Sequence, residues 1–391
     1  MTTPDRAPSG AAQAPAAEAD PREIRPARIQ EELQKSVLGQ DDTLRQVALA
    51  VYKHTTGMVP GNILLIGNSG TGKTTIMVAI QRLYASLPHY QPFRSMAIVN
   101  ANLLVDPDRL EFRPDRLLAA VEQQARAIIG HPATAAELKT AMDRATICID
   151  EIDKLSAVVA GKPNPIGIVL QQGLLTLMEG SHVPFRTHAV VDGQDQPVTL
   201  QIDTQGMMFI CGGAFEGLYD QVYARVISPT STQKLKPVMV RQADGGLGFE
   251  SRFSLRDFFR LDDIFQYGMV PQFIARFDGV LLLAELSLVV LKEILLDSVD
   301  SPFLRSRRFF EGLGISLELE DMAAELIAVQ AARHTRTGAR ALRPLFGKVV
   351  NAFEYDPWGT GALQQLEEGR FRLLLTAEIV RKTLGAGEPG A

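Results

Sequence analysis

The sequence is poor in cysteine, with two residues in 391, Cys148 and Cys211. Two thiols cannot build a four-ligand zinc site by themselves, and there is no CxxC pair. Both sit inside apolar runs, which suits buried, unreactive thiols in a reducing compartment. The six histidines, His182 and His188 among them, show no metal-ligand spacing with acids or cysteines. Cationic excess is also lacking: Lys plus Arg number 40 against 45 Asp plus Glu, a formal net charge of −5. That balance argues against bulk binding to nucleic acid or to an anionic membrane. The basic run Arg305-Ser306-Arg307-Arg308 reads as a solvated helix face. No stretch approaches the roughly eighteen uncharged apolar residues of a membrane span. The longest, from Val280 to Leu296, is broken by Glu285 and Lys292. The opening Met1 to Pro21, rich in Ala, Pro and Asp, lacks the basic start and apolar stretch of a secretory signal. The expectation is a disordered tail over 1–27, a short tail over 387–391, and a soluble cytoplasmic chain.

Hydrophobic residues make up 46% and charged residues 22%, an ordinary globular composition that can bury a sizeable core. At roughly 150 residues per domain, the length allows two or three domains. A helical pattern starts near Arg25, and a second runs from Asp41 to His54 with Leu44, Val47, Ala48 and Val51 on one face. Asn62-Ile63-Leu64-Leu65-Ile66 reads as a buried strand, followed from Lys73 by a helix with Ile76, Ile80 and Leu83. Further buried strands are predicted at Met96 to Val99, Thr146 to Ile149 and Met207 to Cys211, with helical segments between. Such alternation predicts an α/β fold, a mostly parallel sheet covered on both faces. After about Arg276 the texture changes. Leu286 to Leu296, Met322 to Arg333 and Ala339 to Phe353 read as helices, and Ile315 to Leu319 and Phe371 to Leu375 as strands. We therefore expect a large domain over 28–280 and a smaller, helix-rich α+β domain over 281–386, divided near residues 278–284.

Gly67-Asn68-Ser69-Gly70-Thr71-Gly72-Lys73-Thr74 fits GxxxxGK[ST]. Glycines let the backbone wrap closely and aim N–H groups at phosphate oxygens. The following helix offers its positive N-terminus to the anion. In this pattern Lys73 reaches the β- and γ-phosphates and Thr74 gives its hydroxyl to Mg²⁺. The pattern sits where that chemistry needs it, after an apolar strand and opening an amphipathic helix. Ile147-Cys148-Ile149-Asp150-Glu151 supplies a strand ending in two carboxylates. A nucleotide hydrolase needs one carboxylate near Mg²⁺, here Asp150 through water, and one to polarise the attacking water, here Glu151. Together the two motifs point to binding and hydrolysis of ATP or GTP.

With these residues in view, the chain resembles the ClpX family of AAA+ ATPases, in the Clp/HslU unfoldase branch. The resemblance rests on Val37-Leu38-Gly39-Gln40, the Gly67 to Thr74 loop (Walker A) and Asp150-Glu151-Ile152-Asp153-Lys154 (Walker B). It extends through Leu170-Gln171-Gln172, Leu177-Met178-Glu179-Gly180 and Phe209-Ile210-Cys211-Gly212-Gly213-Ala214-Phe215. Pro271-Gln272-Phe273-Ile274-Ala275-Arg276 and Thr337-Gly338-Ala339-Arg340-Ala341-Leu342-Arg343 complete it, so that it covers about residues 28 to 355. The resemblance implies an ATP-driven protein unfoldase or remodelling motor, a homohexamer holding ATP and Mg²⁺ between neighbouring large domains, with a protein client and a ClpP-like peptidase partner. It implies that Val37 and Leu38 line the adenine pocket. Arg276 matches the finger that reaches the neighbour's γ-phosphate, and Arg340 the sensor-2 arginine. Guanidinium groups suit both tasks, because they offer fixed donors to phosphate oxygens. Cys211 to Ala214 occupy the sensor-1 place without a polar sensor side chain.

Three departures stand beside the resemblance. The expected amino-terminal zinc-binding domain has no counterpart ahead of residue 28. In the first pore-loop region, Val105 to Pro114, Phe112 takes the aromatic place, either as a grip on the client or as a core residue anchoring the loop; Lys162-Pro163-Asn164-Pro165 in the second region also differs. Gly246-Leu247-Gly248-Phe249 is the nearest counterpart of an apolar-Gly-Phe peptidase-docking tripeptide, read as a loop that either docks or packs on the body. Three rival functions follow: an assembly or disassembly factor without a protease, a nucleotide-gated scaffold with vestigial hydrolysis, and a DNA-translocating motor, against which the acidic net charge speaks.

Overall fold

The computed structural model describes residues 24–385 apart from 107, 160, 230, 232, 242–246, 335–336 and 367–368. Two helices open the described chain, α1 (Pro26–Gln34) and α2 (Asp41–Thr55), followed by β1 (Ile63–Ile66), α3 (Lys73–Ser86) and β2 (Met96–Asn100). A small ladder, β3 (Val105–Asp106) with β4 (Glu111–Phe112), precedes α4 (Pro114–Ile129), α5 (Ala135–Asp143) and β5 (Thr146–Asp150). Next come a second small ladder, β6 (Val158–Val159) with β7 (Lys162–Pro163), and α6 (Pro165–Met178). A long hairpin, β8 (His182–Val191) and β9 (Gln194–Asp203), leads into β10 (Met208–Gly213) and α7 (Glu216–Ile227). A second hairpin, β11 (Lys236–Arg241) with β12 (Leu247–Arg252), is followed by three short helices and β13. These are α8 (Leu255–Phe258), α9 (Leu261–Tyr267), α10 (Pro271–Ile274) and β13 (Gly279–Leu282).

Five strands form one parallel sheet in the order β13-β1-β10-β5-β2. Its strands alternate between two cores, because successive side chains leave a strand on opposite faces. Ile63, Leu65, Cys148, Met208 and Ile210 join α1, α2 and α3 in one core. Leu64, Ile66, Ile147, Ile149, Phe209 and Cys211 join α4 to α7 in the other. Burial on both faces explains why these strands read as continuous apolar runs rather than alternating ones.

The C-terminal part builds a third core. It contains α11 (Leu288–Asp297), α12 (Pro302–Glu311), β14 (Ile315–Leu319), α13 (Asp321–Ala332), α14 (Leu342–Tyr355), β15 (Leu363–Gln365), β16 (Phe371–Leu375) and α15 (Ala377–Leu384). The strands lie in the order β14-β16-β15, with β14 parallel to β16 and β15 antiparallel to it. A 3-10 turn, Gly338–Ala341, leads into α14. The basic run lies on α12, where Arg307 Nε donates to Glu311 Oε1 at 3.1 Å while Ser306 turns inward. No helix among the described residues is long and apolar enough to cross a membrane.

The edge strand β13 opens the apolar stretch at residue 280 and pairs with β1 through Leu282. One feature differs from the sequence reading. Leu247-Gly248-Phe249 is not a loop: all three residues are laddered in β12 against Arg241, Val240 and Met239. The partner strand carries Val238 and Val240, β-branched residues that favour extended backbone, and this outweighs the conformational freedom of Gly248. Gly246 lies outside the described residues.

Candidate functional site

The phosphate-binding loop runs from the end of β1 to the first turn of α3. Gly70 and Gly72 adopt left-handed backbone, φ +76° and +108°, which costs a glycine little and an L side chain more. A Cβ on Gly70 would also stand 2.2 Å from the Thr337 carbonyl oxygen, so this glycine is required by space as well as by conformation. Lys73 is buried, and its Nζ donates to the Gly67 and Asn68 carbonyls, the latter at 3.0 Å. Burial pushes its pKa down, while the carboxylates of Asp150 and Asp153 oppose the shift. Thr74 Oγ1 donates to Asp150 Oδ2 at 2.8 Å, joining the start of α3 to the end of β5.

Glu151 follows in left-handed backbone, φ +60° and ψ +36°, uncommon for a non-glycine residue. Its N–H is held by Asp150 Oδ1 at 2.9 Å, and its Oε2 accepts from Asn100 Nδ2 at 2.7 Å. Asn100 ends β2 directly beside Asp150 in register, so the neighbouring strand aims the glutamate. Asn100 did not enter the sequence reading; the available signal was an amide one position past the predicted strand Met96 to Val99. Asp153 was also passed over individually. It is buried beside the loop, and its Oδ1 accepts from the Ala214 N–H at 3.1 Å, fixing the segment after β10.

These groups line one cleft of about 490 Å³. Val37 and Leu38 contribute to its wall, as do Ser69 to Thr74, Asp150, Glu151 and Arg340. Gly67 and Asn68 lie behind it and face Lys73 through their carbonyls. The far wall comes from the C-terminal core: Arg340 Nη1 donates to Ser69 Oγ at 2.6 Å, and the Ala339 N–H to the Gly70 carbonyl at 3.2 Å. Arg276 is not among the cleft's lining residues. Its side chain is half exposed and ion-paired with Glu179, while Asn62 Nδ2 holds its carbonyl at 3.1 Å. It is therefore not engaged with this chain's loop.

The oxygen set at Thr74 and Asp150 is hard and anionic, which fits Mg²⁺ rather than a soft metal. No group of three or more His, Cys, Asp or Glu among the described residues is placed to hold a metal alone. Phe112, the aromatic residue of the first pore-loop region, lies against α6: a Cβ on Gly173 would stand 2.2 Å from its Cγ. It is partly buried against the core, and so anchors the β3–β4 ladder in this arrangement.

A profile of the family described as AAA domain (Cdc48 subfamily) matches residues 59–280. The ATP-dependent Clp protease ATP-binding subunit ClpX of Bacteroides thetaiotaomicron is 27% identical over 345 residues, 83% of this chain and 75% of that protein. The subunit of the same name from Bacteroides fragilis is 26% identical over 382 residues, covering 90% and 84%. That from Treponema denticola is 29% identical over 342 residues, covering 83% and 75%.

Proposed function

We infer what this protein does from one premise: the chain belongs to the AAA domain family (Cdc48 subfamily) and is an ATPase. We propose that it is an ATP-dependent protein unfoldase of the Clp type, acting in the cytoplasm as a homohexamer on a protein client. The observation that carries this reading is the Thr74–Asp150 hydrogen bond of 2.8 Å, in a cleft that also gathers Lys73, Glu151 and Arg340.

In this reading the backbone N–H groups of residues 68–74 and the start of α3 bind the phosphate chain. Lys73 exchanges its carbonyl partners for β- and γ-phosphate oxygens. Val37 and Leu38 receive the adenine. Thr74, and Asp150 through water, would hold Mg²⁺, which would supply neutralisation of the phosphate charge. Glu151, oriented by Asn100, holds the attacking water and takes its proton. Arg340 brings a second cation from the C-terminal domain, divided from the large domain near residue 280. Arg276 of one subunit reaches the γ-phosphate bound by the next; its exposure supports that role, and a finger in trans is worth about 10³–10⁵ in rate.

The test is purified Glu151→Gln. It should bind ATP with wild-type affinity, lose turnover by a factor of about 10² or more, and fail to unfold a stably folded fluorescent substrate. Wild-type turnover by this variant overturns the assignment. One observation favours a second reading, an assembly or disassembly factor without a peptidase: Leu247-Gly248-Phe249, the proposed contact for a ClpP-like partner, is laddered into β12. Co-purification with a barrel-shaped peptidase, lost on Phe249→Ala, decides against that second reading.

A further inference from the structure

Gln40 stands just before α2 and is buried. Its side-chain amide joins two backbone segments that are far apart in the chain. Nε2 donates to the Thr71 carbonyl at 3.0 Å, inside the phosphate-binding loop. The same nitrogen donates to the Ala284 carbonyl at 2.9 Å, and Oε1 accepts from the Ala284 N–H at 2.9 Å. Ala284 belongs to the strap 283–287 that carries the chain from β13 to α11.

The strap is seated on the loop at other points. The Leu283 N–H donates to the Ile66 carbonyl at 2.8 Å, where β1 gives way to the loop. A Cβ on Gly67 would stand 2.9 Å from Leu283 Cβ. Gly39, with φ +72°, makes room for Val290 at the start of α11, whose Cγ1 would lie 2.8 Å from a Cβ there. Gln40 itself is not among the residues that line the cleft.

A primary amide has two donors and one accepting oxygen, and here both ends are engaged. A buried backbone group that loses its partner incurs its full desolvation penalty. The Thr71 carbonyl and the Ala284 peptide therefore cannot shift independently while both remain bonded to one side chain. We propose that Gln40 is a positioning residue that couples the state of the phosphate-binding loop to the strap 283–287, and through it to the part of the chain that bears Arg340. This deepens the reading that the loop binds nucleotide and rests on it.

The test uses the 391-residue chain and ADP. Gln40→Glu keeps the shape and the acceptor for the Ala284 N–H. It replaces the donor with a carboxylate oxygen facing two carbonyls. ADP affinity is measured directly, and amide exchange is followed for peptides spanning the loop and peptides spanning 283–290. In the wild type, ADP should slow exchange in both regions. In the variant, affinity should stay within about threefold and the loop response should persist. The strap response should fall by about fivefold or more, with kcat about tenfold lower and KM within about threefold. A purely structural role would instead lower thermal stability and both responses together. Strap peptides that respond to ADP in Gln40→Glu as in the wild type overturn the proposal, and so does a wild type that binds ADP with no strap response. A wild type that binds no ADP overturns the nucleotide-binding reading itself, and the affinity measurement alone distinguishes that case. If Gln40→Glu does not fold, Gln40→Met keeps the shape, loses all three bonds and is judged by the same readouts.

Discussion

Single side chains hold the reactive geometry through partners on neighbouring strands. Glu151 sits in left-handed backbone and is aimed by one amide, Asn100 Nδ2. A hydrogen bond to a charged group contributes about 1.5–3 kcal/mol, so Asn100→Ala should lower kcat about tenfold while ADP affinity is unchanged. Steady-state kinetics with a separate binding measurement check this. His54 makes a different kind of statement. It is buried, 3% exposed, its Nε2 faces the Arg144 carbonyl at 3.2 Å, and burial lowers its pKa from 6.5 to about 4. The unfolded chain therefore binds this proton at higher pH than the folded one. The stability that neutral His54 contributes is complete above pH 6.5 and is lost as pH falls towards 4. At about 1.4 kcal/mol per unit, that loss approaches about 3 kcal/mol. Denaturant midpoints of wild type and His54→Gln at pH 7.5 and pH 4.5 check this; the variant should show the smaller drop.

Among the elements, the strands and helices that frame the loop were legible in the sequence because each carries one clear period. Both faces of the central strands are buried, so their apolar runs are unbroken, and the GxxxxGK[ST] loop sits at the only kind of junction where it can work. The hairpin β8–β9 and the strand β13 were not legible in the same way. The first carries mixed polar residues on exposed strands, and the second is four residues at the head of a longer apolar run. Asn100, and the contacts that Gln40 makes within its motif, were not legible for another reason: what they do depends on segments brought beside them only by the fold. The contact of Phe112 with α6 is of the same kind, since nothing in its own neighbourhood of the sequence reveals the notch at Gly173. Within a helix, Gly→Ala ordinarily stabilises by about 0.5–1 kcal/mol. Here the added methyl meets the Phe112 ring, so Gly173→Ala should instead destabilise by about 1–3 kcal/mol, and the cost should shrink in a Phe112→Ala background. Denaturant midpoints of the four proteins in that cycle decide it.

For the molecule as a whole, the meeting of the loop with the turn at 337–340 sets how the parts act together. Arg340 and Ala339 hold Ser69 and Gly70 directly, whereas the Arg276 side chain is half exposed and paired with Glu179. In the proposed reading, one cation is thus supplied within the chain and the other is offered to a neighbour. Arg276→Ala should therefore keep nucleotide affinity and lose turnover by about 10³-fold or more. In mixtures, an excess of this variant should depress the turnover of wild-type protein, as measured by ATPase rate against mixing ratio. Turnover per chain that is independent of protein concentration and of the mixing ratio would remove the case for a shared site.

The sheet offers one more handle. Cys148 belongs to the core on one face and Cys211 to the core on the other, on adjacent strands, and burial raises the pKa of both thiols. An alkylating reagent can reach either sulfur only when the helical layer above it lifts away. The two native thiols therefore act as separate clocks: equal labelling rates mean the layers part in one event, and unequal rates name the layer that peels first.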